Sequence, residues 1–389
     1  MSVATVIAAV AFAAWCYLLL AHGRFWLCRQ REDDDTSPTT FDAGEAWPKV
    51  VAIVPARNEA DVLPRSLTSL AAQNYPGDFS ILLVDDQSSD GTAVVARKIA
   101  ETAPRQITVV PGAPLPASWT GKVWAMNQGI AAANASAVAP DYLLLTDADI
   151  EYHPGVLTSL VARARRRRLS LTSVMAKLNC ETFAERVFVP AFIFFFQMLY
   201  PFAWVNRASR STAAAAGGCM LADRAALANA GGIQAIRGAL IDDCALAAVM
   251  KQQGPIWLGL SERVLSLRVY SSVDEIRRMV ARSAYAQLRY SPLLLLGTVV
   301  GMALLYLAPP ILAVAAGYPA NLLGAAAFVG MAIAFQPVLR LYGLSPLWGL
   351  ALPLIAAAYL AFTVDSAYQH RAGRGGLWKG RVQAGAGKQ

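Results

Sequence analysis

The sequence predicts an α/β fold in which helices flank a mostly parallel sheet and membrane helices stand at both ends of the chain. From Lys49 onward, short apolar segments of strand length alternate with segments of helix length, which is the pattern of βαβ units. Long apolar segments lie before and after this region. The chain of 389 residues is 56% hydrophobic and 15% charged. With a mean hydropathy of +0.41, it is too apolar for an ordinary soluble protein.

The amino-terminal region predicts a membrane anchor at residues 1–23. Residues 3–21 form an apolar run of about 20 residues, the length that spans a bilayer. The run shows no small-residue cleavage site, and it is followed by Arg24, Arg29 and Arg31. We therefore expect an uncleaved anchor whose carboxyl-terminal side is cytoplasmic. Residues 24–48, which contain Asp33–Asp35, are expected to be a polar linker.

The central region, residues 49–290, is expected to form the α/β domain. Buried strands are predicted at 50–55, 81–86, 107–110 and 142–145, and helices at 59–72, 92–101 and 122–133. Helices of this length between strands indicate right-handed crossovers, so the strands run parallel and their carboxyl ends share one edge of the sheet. Ligands of open sheets bind beyond that edge.

An apolar, aromatic-rich segment at residues 187–205 interrupts the domain. Pro190 and Pro201 break it, so it is a core segment, a membrane span or an element in the membrane interface. Tyr200 and Trp204 favour the interfacial interpretation, because aromatic residues with a polar tip concentrate at that depth.

The carboxyl-terminal region, residues 291–366, contains three further apolar segments, at 291–318, 322–339 and 347–364. If all three span together with the anchor, the tail at 367–389 lies outside the cell. That tail carries basic residues and no acid, which places it inside by the positive-inside rule. We therefore expect one segment, the one that holds Pro309 and Pro310, to be kinked or re-entrant.

Composition narrows the class of function. Five cysteines form no metal-binding spacing and suit a reducing compartment, and three scattered histidines disfavour a catalytic triad or a zinc site. The net charge of +8 suits an anionic lipid surface and an anionic substrate. The basic residues, including Arg165–Arg168, are not interleaved with aromatics, so no nucleic-acid partner is expected. The arginine run is interpreted as a solvated face or a headgroup contact.

The first candidate site is the pair Asp147 and Asp149, which directly follows the strand predicted at 142–145. Two carboxylates at i and i+2 can reach a hard cation such as Mg²⁺ or Mn²⁺, which takes its remaining ligands from water and a substrate diphosphate. An isolated Asp-x-Asp is more often a solvated turn, so the interpretation depends on the other strand ends.

Polar residues also follow the first two strands. Pro55, Arg57, Asn58 and Glu59 stand where a base and ribose can be held, and Asp85 and Asp86 can accept from a nucleobase N–H. Ser89 and Asp90 are interpreted as caps of the next helix.

Two more signals come from helix starts. Lys122 can neutralise a diphosphate or be a surface lysine. The pair Asp242 and Asp243 can complement a helix dipole. If the pair faces the metal site, one of its carboxylates can instead take the proton of an acceptor hydroxyl.

In this order, the motifs resemble those of the inverting family-two glycosyltransferases, whose catalytic domain has the GT-A fold. The resemblance covers about 49–290 and implies a role for each motif. Nucleotide-sugar contacts are implied for Pro55, Arg57, Asn58, Glu59, Asp85, Asp86, Lys122, Asn127 and Asp147. The metal is implied at Asp149 and Asp147, the base at Asp243 within the Asp242–Leu246 motif, and the acceptor loop at Gly217, Gly218 and Cys219.

The end of the domain departs from one pattern of that family. Processive synthases and ceramide glucosyltransferases carry Gln/Arg-x-x-Arg-Trp, whereas this chain has Ala286-Gln287-Leu288-Arg289-Tyr290. The resemblance implies that Arg289 neutralises the leaving diphosphate and that Gln287 and Tyr290 face the acceptor, while processive polymerisation is disfavoured. This junction, the single anchor and the segment 375–381 resemble most the hopene-associated glycosyltransferases.

The resulting hypothesis is a metal-dependent glycosyltransferase on the cytoplasmic face of the bacterial inner membrane. It would move one sugar from a nucleotide-diphosphate donor, with a UDP-sugar favoured, to a lipid hydroxyl such as that of a hopanoid. Asp149 is the better candidate for direct metal contact, and Asp147 for the donor ribose or a water-mediated contact. A processive polysaccharide synthase and an inactive membrane scaffold remain the alternatives.

Overall fold

The computed structural model describes residues 1–32, 46–374, 376–378 and 381–382. The described helices are α1 Val3–Leu20, α2 Leu63–Ala71, α3 Thr92–Ala100, α4 Gly121–Asn134, α5 Val156–Arg167, α6 Phe183–Leu199, α7 Phe202–Val205, α8 Arg224–Asn229, α9 Asp242–Lys251, α10 Val273–Gln287, α11 Pro292–Met302, α12 Ala308–Ala315, α13 Ala320–Leu341 and α14 Leu352–Arg371. The main strands are β1 Val50–Ala56, β2 Phe79–Asp85, β3 Ile107–Pro111, β4 Tyr142–Thr146, β5 Ile150–Tyr152, β6 Leu171–Lys177, β7 Cys219–Asp223 and β8 Ile256–Ser266.

The chain divides into two compact units that alternate along the sequence. The helical unit comprises Met1–Arg29, Cys180–Ala203 and Val269–Gly376, and the sheet unit comprises Gln30–Asn179, Trp204–Arg268 and the short strands at the carboxyl end. Residues 180–203 and 269–290, which the sequence assigns to the α/β domain, thus belong to the helical unit.

The sheet has eight strands in the order β3-β2-β1-β4-β7-β6-β8-β5. Its first four strands are parallel, as the βαβ pattern predicts. The sheet as a whole is mixed, because β7 is antiparallel to both of its neighbours and β5 is antiparallel to β8. Strands β1 and β4 are buried along their whole length, which is why both are continuously apolar.

The helices of the sheet unit follow the predicted pattern with one shift. Helix α2 buries Leu63, Leu67 and Leu70, the predicted apolar face. It begins at Leu63 and not at residue 59, because Asn58 has a left-handed backbone (φ 51°) and Pro64 favours a helix start there.

Part of the predicted linker belongs to the sheet unit. Gln30 and Glu32 pair with Leu260 of β8 through two backbone hydrogen bonds of 2.8 Å. The buried Glu32 carboxylate accepts from Ser261 Oγ at 2.6 Å and forms an ion pair with Arg263. Asp33–Asp35 and the tail residues Lys379 and Lys388 lie outside the described residues.

The helical unit contains apolar helices long enough to cross a membrane. Five such candidates occur in the described part of the chain, at Val3–Leu20, Phe183–Val205, Pro292–Ala315, Ala320–Leu341 and Pro346–Arg371. Four of them coincide with the predicted anchor and the three carboxyl-terminal segments. The element predicted at 187–205 begins earlier and is broken at Tyr200-Pro201.

The segment with two prolines is irregular for an identifiable reason. A π-helical turn at Ala303–Leu307 precedes Pro309 and Pro310. Since Pro309 has no N–H, the carbonyl of Leu305 lacks its regular helical donor. Trp15 Nε1 donates to that carbonyl at 2.8 Å, so the freed group is satisfied by a neighbouring helix.

Candidate active site

The candidate site lies at the carboxyl edge of the parallel half of the sheet. Ala56 at the end of β1 is in register with Asp85 at the end of β2, and Ile53 is in register with Leu145 of β4. The loops after these three strands therefore leave the sheet at the same edge, where ligands of such sheets bind.

The loops after β1 and β2 are cross-linked to each other. Arg57 Nη1 donates to the carbonyl of Asp86 at 2.5 Å and lies 3.8 Å from its carboxylate. The N–H of Asn58 donates to Ser88 Oγ at 3.0 Å, and Asn58 Oδ1 accepts from the N–H of Ser89 at 2.9 Å. These hydrogen bonds hold the two loops in one arrangement. We call this cross-linked pair of loops the wall of the candidate site.

Within this wall the two predicted carboxylates differ. Asp86 is completely buried, whereas Asp85 is half-buried and Oδ1 accepts from the N–H of Ser88 at 3.3 Å. Asp85 is thus the carboxylate of the pair that remains open to a ligand. Pro55 is buried within β1, and the N–H of Glu59 donates to Thr92 Oγ1 at 2.9 Å.

Asp90, predicted as a cap of the next helix, stands one residue before the N-cap Gly91 and accepts from the first N–H of that helix. Its Oδ1 accepts from the N–H of Thr92, the first residue of α3, at 3.0 Å. Asp90 Oδ2 accepts from the N–H of Ala60 at 3.0 Å, which links the cap to the loop after β1.

Lys122, the second residue of α4, joins the two acidic motifs. Its Nζ lies 2.7 Å from Asp147 Oδ1 and 3.3 Å from Asp242 Oδ2. Burial opposes the lysine charge, but the surrounding carboxylates outweigh burial and raise the pKa of Lys122 above its ordinary value. The lysine is therefore a fixed cation and not a surface residue. Asn127 lies further along α4 and is half-buried.

Asp243, the second residue of α9, is held in one orientation by two backbone donors. Its Oδ1 accepts from the N–H of Cys244 at 2.7 Å, and Oδ2 accepts from the N–H of Gly217 at 3.0 Å. Burial and the adjacent Asp242 carboxylate raise the pKa of Asp243 to about 6, against the opposing Lys122 charge. This carboxylate is more basic than an ordinary aspartate and still ionises near neutral pH.

The glycines of the turn that contacts Asp243 lie close to neighbouring side chains. A Cβ at Gly217 would lie 3.0 Å from Lys122 Nζ and 3.5 Å from Asp243 Oδ2. A Cβ at Gly218 would meet Ile150 Cδ1 at 2.9 Å. Cys219 is completely buried in β7, so its side chain belongs to the core and Gly217 is the loop residue that adjoins the site.

The residues around Asp149 fit a hard divalent cation. Burial and the nearby Asp147 carboxylate raise the pKa of Asp149, as expected for two neighbouring carboxylates, and a bound cation would favour the charged form of both. Asp242 Oδ2 is buried and has the ion pair with Lys122, but it accepts no hydrogen bond of regular geometry from the described residues. The described residues contain no group of three or more His, Cys, Asp or Glu side chains that could hold a metal ion. Water and a substrate diphosphate would therefore have to complete the coordination of a cation bound by Asp147 and Asp149.

Three predicted residues lie in the helical unit. Gln287 forms two hydrogen bonds with the Tyr200 hydroxyl, at 2.7 and 2.9 Å. Tyr290 stacks on His370 with ring centroids 4.3 Å apart. Arg289 and Tyr290 are exposed and both have left-handed backbones, with φ of 51° and 55°. Their predicted roles toward donor and acceptor remain predictions.

The sequence reasoning missed Arg268. Its positive charge opposes the raised pKa of Asp149, and the adjacent Leu267 N–H donates to the Asp149 carbonyl at 2.8 Å. No motif marks it, because Arg268 follows β8, more than a hundred residues after Asp149 along the chain. A basic residue directly after an apolar strand would have been the available signal.

Comparison with known proteins identifies the central part of the chain. Residues 51–230 match the family model described as Glycosyl transferase family 2. This segment, which is somewhat less than half of the chain, is similar to the family 2 glycosyltransferases. The matched segment contains all the strand-end motifs described above except the Asp242–Asp243 pair.

The curated relatives match this chain over only part of its length. An undecaprenyl-phosphate 4-deoxy-4-formamido-L-arabinose transferase from Enterobacter sp. (strain 638) is 33% identical over 122 residues, 31% of this chain and 35% of the relative. A 4,4'-diaponeurosporenoate glycosyltransferase from Staphylococcus haemolyticus (strain JCSC1435) is 33% identical over 108 residues, 28% of this chain and 26% of the relative. The alignments thus span about a third or less of these relatives.

A solved structure resembles the chain over nearly its whole length. The mannosyltransferase PcManGT from Pyrobaculum calidifontis, in complex with GDP-Man and Mn²⁺, aligns with a TM-score of 0.55 and 20% identity, covering 97% of this chain and 100% of that one. At this identity the likeness shows the fold. The predicted α/β fold, with a GT-A-type sheet, flanking helices and apolar helices in both terminal regions, is confirmed.

Proposed function

We propose that the protein is a membrane-bound glycosyltransferase that moves one sugar from a nucleoside diphosphate donor to the hydroxyl of a membrane lipid, with inversion at the anomeric carbon. The observation that carries this proposal is the position of Lys122 between Asp147 and Asp242. That contact unites the candidate metal motif and the candidate base motif in one half-buried, charged cluster.

The donor would bind along the loops after β1 and β2. Asp85 would accept from the nucleobase, and the cross-linked backbone around Asn58 would shape the ribose pocket. Lys122 would then exchange part of its pairing with the carboxylates for the donor diphosphate, whose charge is larger. Such an exchange keeps the ammonium buried and paired at every stage.

Asp149 and Asp147 would hold Mg²⁺ or Mn²⁺ against the diphosphate. A bound divalent cation supplies Lewis-acid stabilisation of the charge that develops on the leaving nucleotide. Lys122 contributes positive charge at the same place through its own contact with Asp147.

Asp243 would take the proton of the acceptor hydroxyl as the oxygen attacks the anomeric carbon. A pKa of about 6 suits this task, because the group is ionised at neutral pH and more basic than an exposed aspartate. The oxygen bond to the sugar forms as the bond to the diphosphate breaks, which inverts the configuration.

The acceptor is proposed to be a lipid. Five apolar helices would keep the protein in the membrane, where such a substrate resides. The sheet unit would then lie on the cytoplasmic side of the bacterial inner membrane. The two curated relatives are named for a polyprenyl phosphate and for a carotenoid-derived acid, both lipids. We favour a UDP-sugar and a hopanoid hydroxyl, on the resemblance of Gln287–Tyr290 and the tail to the hopene-associated enzymes.

The proposal is tested by direct assay of the purified protein in detergent. The protein is given Mn²⁺ or Mg²⁺, a panel of UDP- and GDP-sugars, and hopanoid, polyprenyl phosphate or total bacterial lipid, and glycolipid and free nucleotide are measured. We expect one added sugar per lipid and a requirement for the metal. A ladder of products would favour a processive synthase.

Two variants test the assigned roles. Asp243→Asn and Asp149→Ala are each expected to lower turnover at least about a hundredfold. If both variants turned over at the wild-type rate, the mechanism would be refuted. If no donor and acceptor pair gave product, the protein would be a scaffold with a glycosyltransferase fold.

A further inference from the structure

The turn that contacts Asp243 is held from behind by three buried hydroxyl groups. The turn comprises residues Ala216–Cys219 and is closed by a hydrogen bond of 3.2 Å from the N–H of Cys219 to the carbonyl of Ala216. The hydroxyls belong to Thr146 in β4, Tyr152 in β5 and Ser173 in β6, and all three residues are buried. Thr146 and Tyr152 are six residues apart along the chain, whereas Ser173 comes from a later strand, and the three meet in the folded sheet.

Ser173 holds the two ends of the turn. Its Oγ accepts from the N–H of Ala216 at 2.9 Å and donates to the carbonyl of Cys219 at 3.0 Å. One hydroxyl thereby satisfies one donor and one acceptor of the same turn, which fixes the spacing between its ends.

Thr146 and Tyr152 hold the middle of the turn through two consecutive hydrogen bonds. Thr146 Oγ1 donates to the carbonyl of Gly218 at 2.8 Å, and the Tyr152 hydroxyl donates to Thr146 Oγ1 at 2.7 Å. The Tyr152 hydroxyl also lies 3.2 Å from the carbonyl of Gly218, so both hydroxyls reach the middle of the turn. Burial raises the pKa of Tyr152 well above its ordinary value, so the phenol stays a donor throughout the physiological range.

The turn in its fixed position presents the N–H of Gly217 to Asp243 Oδ2. Thr146 also immediately precedes Asp147, whose carboxylate contacts Lys122. The same hydroxyl therefore links the strand that carries the candidate metal motif to the turn that orients the candidate base. A displacement of about 1 Å between two such groups can cost about a hundredfold in rate.

We propose that Thr146, Tyr152 and Ser173 form a hydroxyl clamp that positions Asp243 relative to the donor site through the Ala216–Cys219 turn. The inference rests on the proposed function, since it assigns a purpose to the orientation of the proposed base. The three are positioning residues, because they act through the turn.

Two readouts on the full-length protein in detergent test the clamp. Hydrogen exchange of the peptide that covers residues 214–221 reports whether the turn is held, and it requires no activity. Steady-state kinetics report whether the turn positions the base, because misorientation of the base lowers kcat and leaves donor KM unchanged.

Thr146→Val and Tyr152→Phe remove one hydroxyl each while keeping the side-chain shape. We expect exchange in the turn to quicken about tenfold as local opening becomes easier. We also expect kcat to fall about thirtyfold with donor KM within about twofold of wild type. Thr146→Ser keeps the hydroxyl and is expected to restore both values to near wild type.

Tyr75→Phe is the matched control. The Tyr75 hydroxyl is also buried and donates to the carbonyl of Pro48 at 2.5 Å, at the opposite end of β1. The same chemical change there should leave exchange of the turn and kcat unchanged. Wild-type exchange of the turn in both Thr146→Val and Tyr152→Phe would overturn the proposal, and so would wild-type kcat with a loosened turn. A wild-type protein that transfers no sugar would refute the proposed function, while the exchange measurement would still decide whether the clamp exists.

Discussion

At the scale of single residues, most of the half-buried charged groups of the site have defined partners. Lys122 forms ion pairs with Asp147 and Asp242, while the carboxylate of Asp243 accepts hydrogen bonds from two backbone N–H groups. Breaking one member of such a buried set leaves an uncompensated charge, which costs more than the pair contributes. Substitutions here are therefore expected to act on activity and stability together, unless they preserve both shape and charge.

The pH dependence of the reaction should report Asp243. The base acts in its deprotonated form, so kcat/KM is expected to rise with pH and to level off above a pKa of about 6. Lys122 faces Asp243 and keeps its charge over this range, because the surrounding carboxylates raise its pKa. The rate is measured from pH 5 to 8 with saturating metal. A rate that is constant across this interval would rule out Asp243 as the base.

Gly217 is expected to tolerate no side chain. In Gly217→Ala the new Cβ would lie 3.0 Å from Lys122 Nζ, so the ammonium or the turn must move. We expect turnover to fall at least about tenfold while the protein remains folded, as judged by gel filtration and circular dichroism.

Gly254→Ala provides the control for this substitution. Its Cβ would meet Ser170 Cβ at an ordinary 3.5 Å. It should keep wild-type turnover. Equal turnover of the two alanine variants would show that the close approach of a Cβ at Gly217 to Lys122 Nζ does not affect the reaction.

At the scale of elements, Glu185 secures the start of α6. Its carboxylate accepts from the N–H groups of Glu181 and Thr182 at 2.9 Å and from that of Tyr270 at 2.7 Å. Thr182 completes a capping box by accepting from the N–H of Glu185. One completely buried side chain thus fixes the helix start to the segment that leads into α10.

Loss of this anchor should destabilise the helical unit. Glu185→Ala leaves three backbone donors without their acceptor, and hydrogen bonds to a charged group are worth about 1.5–3 kcal/mol each. We expect a fall of several degrees in the thermal unfolding midpoint in detergent, followed by tryptophan fluorescence. The exposed neighbour supplies the comparison, since Glu181→Ala should shift the midpoint by less than about 1 °C.

The elements also show how far sequence reasoning reaches. Strands β1, β2, β3 and β4 were predictable because each is a continuous apolar run between polar turns. The contact of Lys122 with Asp147 was not, because it depends on how α4 packs on β1 and β2. The Thr146, Tyr152 and Ser173 hydroxyls form no motif at all, since each is a common residue in an ordinary strand. The candidate site was thus predictable as a set of charged residues, and its supporting contacts were not.

At the scale of the whole molecule, the two units alternate along the chain. The sheet unit is interrupted by Cys180–Ala203, which contains the apolar α6 and belongs to the helical unit. Removal of both terminal membrane regions would therefore leave an apolar helix within the remaining chain, deprived of its packing partners.

A shortened protein of residues 30–268 is accordingly expected to remain insoluble without detergent. α6 buries aromatic side chains such as Phe188 and Phe194 in the helical unit, and these would become exposed. The test is expression followed by carbonate extraction and gel filtration. If the shortened protein were monodisperse in detergent-free buffer, residues 180–203 would not depend on the helical unit for packing, and the assignment of α6 to that unit would be wrong.

The order of strands has a consequence for how the protein behaves when crowded. The sheet ends on one side at β3, which has five residues and finishes at Pro111, and on the other side at β5, which has three residues. Neither edge offers a long, flat row of backbone groups onto which another polypeptide could add a strand. If the protein lies in a membrane as proposed, we expect many copies to be concentrated in the plane of the bilayer with little tendency to aggregate through the described sheet.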